Sequence, residues 1–156
     1  MTIDDIRPRM NWAWVLEPSL ATGSMPLRPK DAKALDRAGV THVLNVADDW
    51  EGDREATLFS GYGITYQRIP TRDTGVRPPD AWFEATTSWA LDALESGGSL
   101  YIHCLVGSAR GPSIAYATLR RLGFSHPTAF AKVRSARPEA SLYYVPDAQD
   151  WLERAA

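Results

Sequence analysis

Tyr101-Ile102-His103-Cys104-Leu105-Val106-Gly107-Ser108-Ala109-Arg110-Gly111-Pro112-Ser113 is the stretch that decides how this chain folds. Ser99 to His103 has a continuous apolar centre, the pattern of a strand buried on both faces in a parallel sheet. Small residues follow, and then Pro112, which suits a first helical position. Ala115, Leu119 and Leu122 share one helical face, and Gly123 is a stop. A strand therefore runs through a short loop into a helix. Such a loop can turn successive backbone N–H groups inward as a nest that an anion fills. The helix N-terminus adds unpaired N–H groups and the positive end of its dipole. A thiol at the loop's start, Cys104, faces that field, which favours thiolate over thiol. Arg110 closes the ring with a planar fork that can bond two phosphate oxygens.

Outward from this stretch, strand and helix signals alternate. Thr41 to Val46 and Ile64 to Ile69 are rich in β-branched and aromatic residues and read as strands. Asp31 to Ala38 reads as a helix with Asp31 as a cap and Gly39 as its end. Asp80 to Leu94 reads as another, capped by Asp80 and ended by Gly97-Gly98. Phe83, Ala90 and Leu94 keep helical spacing there, and Trp82, Trp89 and Ala93 form an adjacent row, so both tryptophans are expected in the core. Two more helices are expected at Pro127 to Ser135 and Pro146 to Arg154. This alternation predicts an α/β fold with a central sheet.

The 156 residues suffice for one domain, taken as 1–156 with a core from about 11 to 154. Net charge is −2, which argues against a general nucleic-acid or membrane-surface binder. Apolar runs are too short to span a bilayer, and the acidic start Met1-Thr2-Ile3-Asp4-Asp5 is unlike a secretory signal. One cysteine cannot form an internal disulfide, which suits a reducing compartment and a cytoplasmic location. His42 and His126 lack metal-ligand spacing, so no metal is expected. Trp50 lies among Asp48, Asp49, Glu51 and Asp53 in a loop and is a candidate for touching substrate.

His103, Cys104, Gly107 and Arg110 match the signature His-Cys-x2-Gly-x2-Arg, and the chain here resembles the protein tyrosine phosphatase superfamily, particularly its small dual-specificity members. The resemblance runs from about Asn11 to Leu152, and only the loop is highly specific. Asn11-Trp12-Ala13-Trp14-Val15 is similar to the opening of some small atypical members, and Arg137-Pro138 to the element after the loop helix. Ile69-Pro70-Thr71-Arg72-Asp73 is similar to the segment that carries the family's general-acid aspartate, which makes Asp73 the expected acid, ahead of Asp80 and Asp48. The resemblance implies a mixed, mostly parallel sheet flanked by helices, hydrolysis without metal or cofactor, and a phosphorylated protein or peptide as partner. It casts Cys104 as nucleophile, and it places Leu105, Val106, Gly107, Ser108, Ala109 and Arg110 around the phosphate. His103 is implied to orient the loop, while Ser108 and Ser113 are expected to pack the loop or cap the helix.

Gly111 departs from the family, which usually carries a hydroxyl there to stabilise the departing thiolate. Its absence is expected to slow hydrolysis of the phosphocysteine more than its formation, with Ser113 two residues along the helix pointing elsewhere. Gly111→Ser is then expected to raise turnover, unless glycine is needed for backbone geometry at the helix start, where serine would strain the loop. Two readings from other classes are a pseudophosphatase that only holds phosphorylated partners and a rhodanese-like sulfurtransferase. Phosphoglucan, phosphoinositide and RNA phosphate are alternative substrates within the phosphatase reading. The loop interior from Leu105 to Ala109 brings no cationic side chain, which favours a singly phosphorylated group, phosphotyrosine first.

Overall fold

The computed structural model describes residues 9–48 and 55–156; Trp50 and the first five residues lie outside the described part. Five strands form one sheet: β1 (Trp12–Leu16), β2 (Leu20–Gly23), β3 (His42–Asn45), β4 (Thr65–Arg68) and β5 (Leu100–His103). The order across the sheet is β1-β2-β5-β3-β4. Only β1 runs antiparallel to its neighbour, so the sheet is mixed and mostly parallel, as expected. Six helices surround it among the described residues: α1 (Pro29–Arg37), α2 (Glu55–Leu58), α3 (Asp80–Glu95), α4 (Arg110–Arg121), α5 (His126–Ala136) and α6 (Val145–Ala155).

The pleat sorts the core into two layers. On β2, β3 and β5, Leu20, Leu44, Leu100 and Ile102 face the layer built by α3 to α6. The alternate residues Ala21, Val43 and Tyr101 face the layer containing Ala32, Leu35 and Phe59. Each such aliphatic side chain, fully removed from water, contributes about 1.5–3 kcal/mol. All four residues of β5 are buried, the outcome expected for a strand covered on both faces. Helix α4 lies at the centre of its layer, packing against α3, α5, α6 and strands β2 and β5. The loop from β5 to α4 therefore starts at the C-terminal end of a central strand, where open α/β sheets place their ligands.

Several expectations need correction. The hairpin of β1 and β2 is absent from the sequence reading. β2 is Leu-Ala-Thr-Gly, a poor strand former by composition, and its pairing to β5 makes it a strand. Asp31 is not the helix cap: α1 begins at Pro29 after Arg28, and Asp31 sits in the first turn. Its Oδ2 accepts the N–H groups of Leu27 and Arg28, each at 3.0 Å, and its Oδ1 pairs with the buried Arg28 guanidinium at 2.8 Å. Asp80 does not cap α3 either. Pro79 holds that position, and the Asp80 carboxylate reaches instead to Arg154 on α6. Helix α4 begins at Arg110, two residues before Pro112. Trp82 is buried as expected, while Trp89 is partly buried and meets the His42 ring edge-on. Among the described residues, no helix is long and apolar enough to cross a membrane.

Candidate active site

The loop from Cys104 to Ala109 is held by its carbonyls. His103 Nδ1 donates to the Cys104 carbonyl at 2.9 Å, and Met25 N–H donates to the Leu105 carbonyl at 3.0 Å. Arg137 reaches up from the end of α5, giving Nη2 to the Val106 carbonyl at 3.3 Å and Nε to that of Gly107 at 3.1 Å. The Ser108 carbonyl accepts Leu142 N–H at 3.1 Å, and its Oγ accepts Ser141 N–H at 2.9 Å. Five successive carbonyls thus point outward into protein donors. The N–H groups of Val106, Gly107, Ser108 and Ala109 find no acceptor among the described residues. That is the arrangement of an anion nest.

Glycine is required at position 107 on two counts. Its φ is +80°, and a Cβ there would sit 2.5–2.8 Å from the backbone of Gly23 and Ser24. The loop is thereby pressed against the end of β2. Gly111 is a tighter case than the sequence conveys. A Cβ at this position would meet Cys104 N at 3.1 Å and the His103 backbone at 3.2 and 3.3 Å. The first turn of α4 lies directly against the strand end that carries the thiol. Ser113 cannot supply the missing hydroxyl, because its Oγ donates to the Arg110 carbonyl at 2.7 Å.

Cys104 is a free thiol, 3% exposed. Arg110, also 3% exposed, extends from the N-terminus of α4 to the segment after β4. Its Nη1 donates to the Thr71 carbonyl at 2.9 Å, and its Nε lies 3.9 Å from Asp73 Oδ2. The structure therefore brings Asp73 beside the loop, with its side chain half exposed. Asp73 Oδ1 accepts the Tyr144 hydroxyl at 2.8 Å. The segment leading to Asp73 is fastened by Trp82 Nε1, which donates to the Ile69 carbonyl at 2.9 Å.

The other two candidate acids are placed differently. Asp80 is engaged bidentately by Arg154 at 2.9 and 3.0 Å, and that hydrogen bonding holds its carboxyl below the usual carboxylate range. A carboxylate so held is a poor proton donor at neutral pH. Asp48 is buried beside Arg68, whose Nη2 donates to its carbonyl at 3.2 Å, and its Oδ2 lies 3.6 Å from Arg72 Nε. Tyr144 and the loop-bracing role of Arg137 escaped the sequence reading. Arg137-Pro138 stood out only as a resemblance, and nothing near Tyr144 in sequence points to a residue 71 positions away.

The family model described as the dual specificity phosphatase catalytic domain matches residues 27–143. The chain belongs to the dual-specificity phosphatases. Among curated relatives it is 33% identical over 124 residues to human dual specificity phosphatase 28, covering 79% of this chain and 66% of that protein. It is 26% identical over 139 residues to the phosphatidylglycerophosphate phosphatase PTPMT2 of Arabidopsis thaliana, covering 88% of this chain and 60% of that protein. The chain thus spans somewhat less than two thirds of either relative. The crystal structure of human DUSP28 superposes with a TM-score of 0.73 at 28% identity, over 96% of this chain and 97% of that one. The rhodanese-like reading has no support in these matches.

Proposed function

We propose that this chain hydrolyses phosphate monoesters through a phosphocysteine on Cys104. The observation that carries the reading is the loop whose five carbonyls are bound outward around a buried thiol, with Arg110 spanning from that loop to Asp73. A tetrahedral oxyanion seated in the loop would meet inward N–H groups and the Arg110 fork. The Cys104 thiolate attacks phosphorus in line as the bond to the leaving oxygen breaks, and Asp73 gives its proton to that oxygen. Water then attacks phosphorus, the S–P bond breaks, Asp73 takes a proton from the water, and inorganic phosphate leaves. The loop donors and Arg110 stabilise the equatorial oxygens in both steps.

The preferred substrate is a singly phosphorylated protein side chain, phosphotyrosine before phosphoserine or phosphothreonine, acted on in the cytoplasm without metal or cofactor. An uncharged loop interior supports a single phosphate, and the 31% identity over 104 residues to human dual specificity protein phosphatase 26 supports a protein substrate. A second reading, a lipid phosphate, is favoured by the similarity to PTPMT2 and by a cavity of about 750 Å³ beside the loop. Met25, Leu27, Leu105, Val106 and Ala140 give that cavity an apolar lining.

The test is a panel of phosphotyrosyl peptides, phosphoseryl peptides and phosphatidylglycerophosphate, run on wild type and Cys104→Ser. Cys104→Ser is expected to lose turnover on all of them while still binding vanadate. Faster release from the lipid than from phosphotyrosyl peptides would transfer the assignment to the second reading.

A further inference from the structure

The segment Ser141 to Tyr144 touches both halves of the site. Its first half binds the nucleophile loop, through Ser141 N–H to Ser108 Oγ and Leu142 N–H to the Ser108 carbonyl. Its second half binds the acid segment. Tyr144, fully buried, places one hydroxyl between two groups: it accepts Gly75 N–H at 3.0 Å and donates to Asp73 Oδ1 at 2.8 Å. Tyr143 donates to the Gly75 carbonyl at 3.1 Å and does not reach Asp73. Between the two halves Leu142 adopts φ +53°, a left-handed conformation that a leucine holds only when its surroundings impose it.

We propose that Tyr144 is a positioning residue for the general acid, fixing which oxygen of Asp73 carries the transferable proton. The inference rests on the reading of Asp73 as that acid. With Oδ1 occupied by the tyrosine O–H, the acid proton resides on Oδ2, the oxygen turned toward Arg110 at 3.9 Å. That orientation aims the proton at the leaving oxygen of a phosphate held by Arg110. Once the proton has gone, the same O–H bond strengthens, because its acceptor is now charged. Tyr144 thereby lowers the barrier of the step that breaks the P–O bond and leaves the binding of phosphate untouched. Burial, and secondly its bond to Asp73, hold the Tyr144 hydroxyl above the usual tyrosine range, so it remains a donor across the working pH.

The test compares wild type, Tyr144→Phe, Tyr143→Phe, Asp73→Asn and the double variant Asp73→Asn/Tyr144→Phe on aryl phosphates of graded leaving-group acidity. Phenylalanine keeps the buried ring, and vanadate inhibition reports whether the cradle is intact. Tyr144→Phe is expected to lower kcat/KM, which reports the P–O cleavage step, roughly tenfold on poor leaving groups and under about twofold on the most acidic one, the scale of a bond to a charged group. Vanadate inhibition is expected to stay at the wild-type value, and Tyr144→Phe is expected to add nothing on top of Asp73→Asn. A Tyr144→Phe loss equal for all leaving groups, the same slope in Tyr143→Phe, or full additivity in the double variant would overturn the inference alone. Asp73→Asn without leaving-group dependence would overturn the acid assignment and the inference with it.

Discussion

The nucleophile loop and the acid segment face each other across Arg110, and they are built by opposite means. The loop is short and lies between a buried strand and a buried helix, with its carbonyls fixed by Met25, His103, Arg137 and Leu142. The acid segment between β4 and α3 has no regular structure, and most of its residues are exposed. It hangs on side chains sent from afar: Arg110 to Thr71, Trp82 to Ile69, Tyr144 to Asp73 and Gly75, and Tyr143 to Gly75. A cradle for an anion must be preorganised, since moving donors toward the charge during reaction would cost the stabilisation they give. An acid that serves differing leaving groups must approach and withdraw, so a segment held by a few bonds suits it. The difference lies in how each is held, and under the proposed mechanism the loop binds the phosphate and the segment transfers the proton.

Arg110 belongs to both regions, so changing it breaks the comparison most severely. Arg110→Lys removes the fork and the bond to Thr71 together, and lysine cannot copy either geometry. We expect turnover to fall by at least about 10²-fold, with vanadate inhibition weakened in parallel. Steady-state kinetics with an inhibition curve would show this. A lysine variant retaining most of its activity would mean that the cradle works without its guanidinium.

A smaller effect is expected at Gly111, within the rigid half. The sequence leaves open whether Gly111→Ser raises the rate or strains the loop, and the contacts at this position bear on both. Any Cβ at this position must push the Cys104 and His103 backbone by a few tenths of an ångström. Gly111→Ala and Gly111→Ser share that Cβ, so their ratio isolates the hydroxyl. Both are expected to melt below wild type, at an overpacking cost of about 1–3 kcal/mol. The serine variant is expected to hydrolyse the phosphocysteine roughly tenfold faster than the alanine one, the value of a bond to a charged sulfur. Equal rates for the two would remove the missing hydroxyl from the account.

The smallest effect lies away from both regions and separates stability from activity. His42 sits on β3 with Nδ1 2.7 Å from Thr41 Oγ1, and burial lowers its pKa below the ordinary 6.5. The unfolded chain therefore takes up this proton at higher pH than the folded chain. Stability is lost as pH falls through about 6.5 toward the lower folded value. Melting temperature should drop slightly over that window in wild type and less in His42→Gln, while the pH profile of turnover stays the same in both. Identical slopes in the two proteins would remove His42 as the cause.

The contrast between the two regions also explains what could be read in advance. Cys104, Gly107 and Arg110 fall within seven residues, and the strand before and helix after are visible as an apolar run and a helical stripe. Local physics decides that segment, so its sequence is informative. β2 became a strand only by pairing with β5, 80 residues away, and its composition carries no such signal. Asp31 and Asp80 have the residue type of a cap, yet long-range and neighbouring arginines claim them. Tyr144 reads as one aromatic of a pair before a helix, and its bond to Asp73 exists only once the fold has closed.

The central claim is that Cys104 becomes covalently phosphorylated during turnover. Rapid acid quench of the wild-type protein mixed with an aryl phosphate, followed by mass analysis of its peptides, tests this directly. Glycine at 111 leaves the departing thiolate without the hydroxyl usual in the family, so the second step is expected to be the slower one and the intermediate to accumulate. The account predicts a burst of leaving group matched by one phosphoryl group on the peptide holding Cys104. It predicts neither burst nor adduct in Cys104→Ser. Turnover by Cys104→Ser above about a tenth of wild type, or a phosphoryl group on a residue other than Cys104, would contradict it.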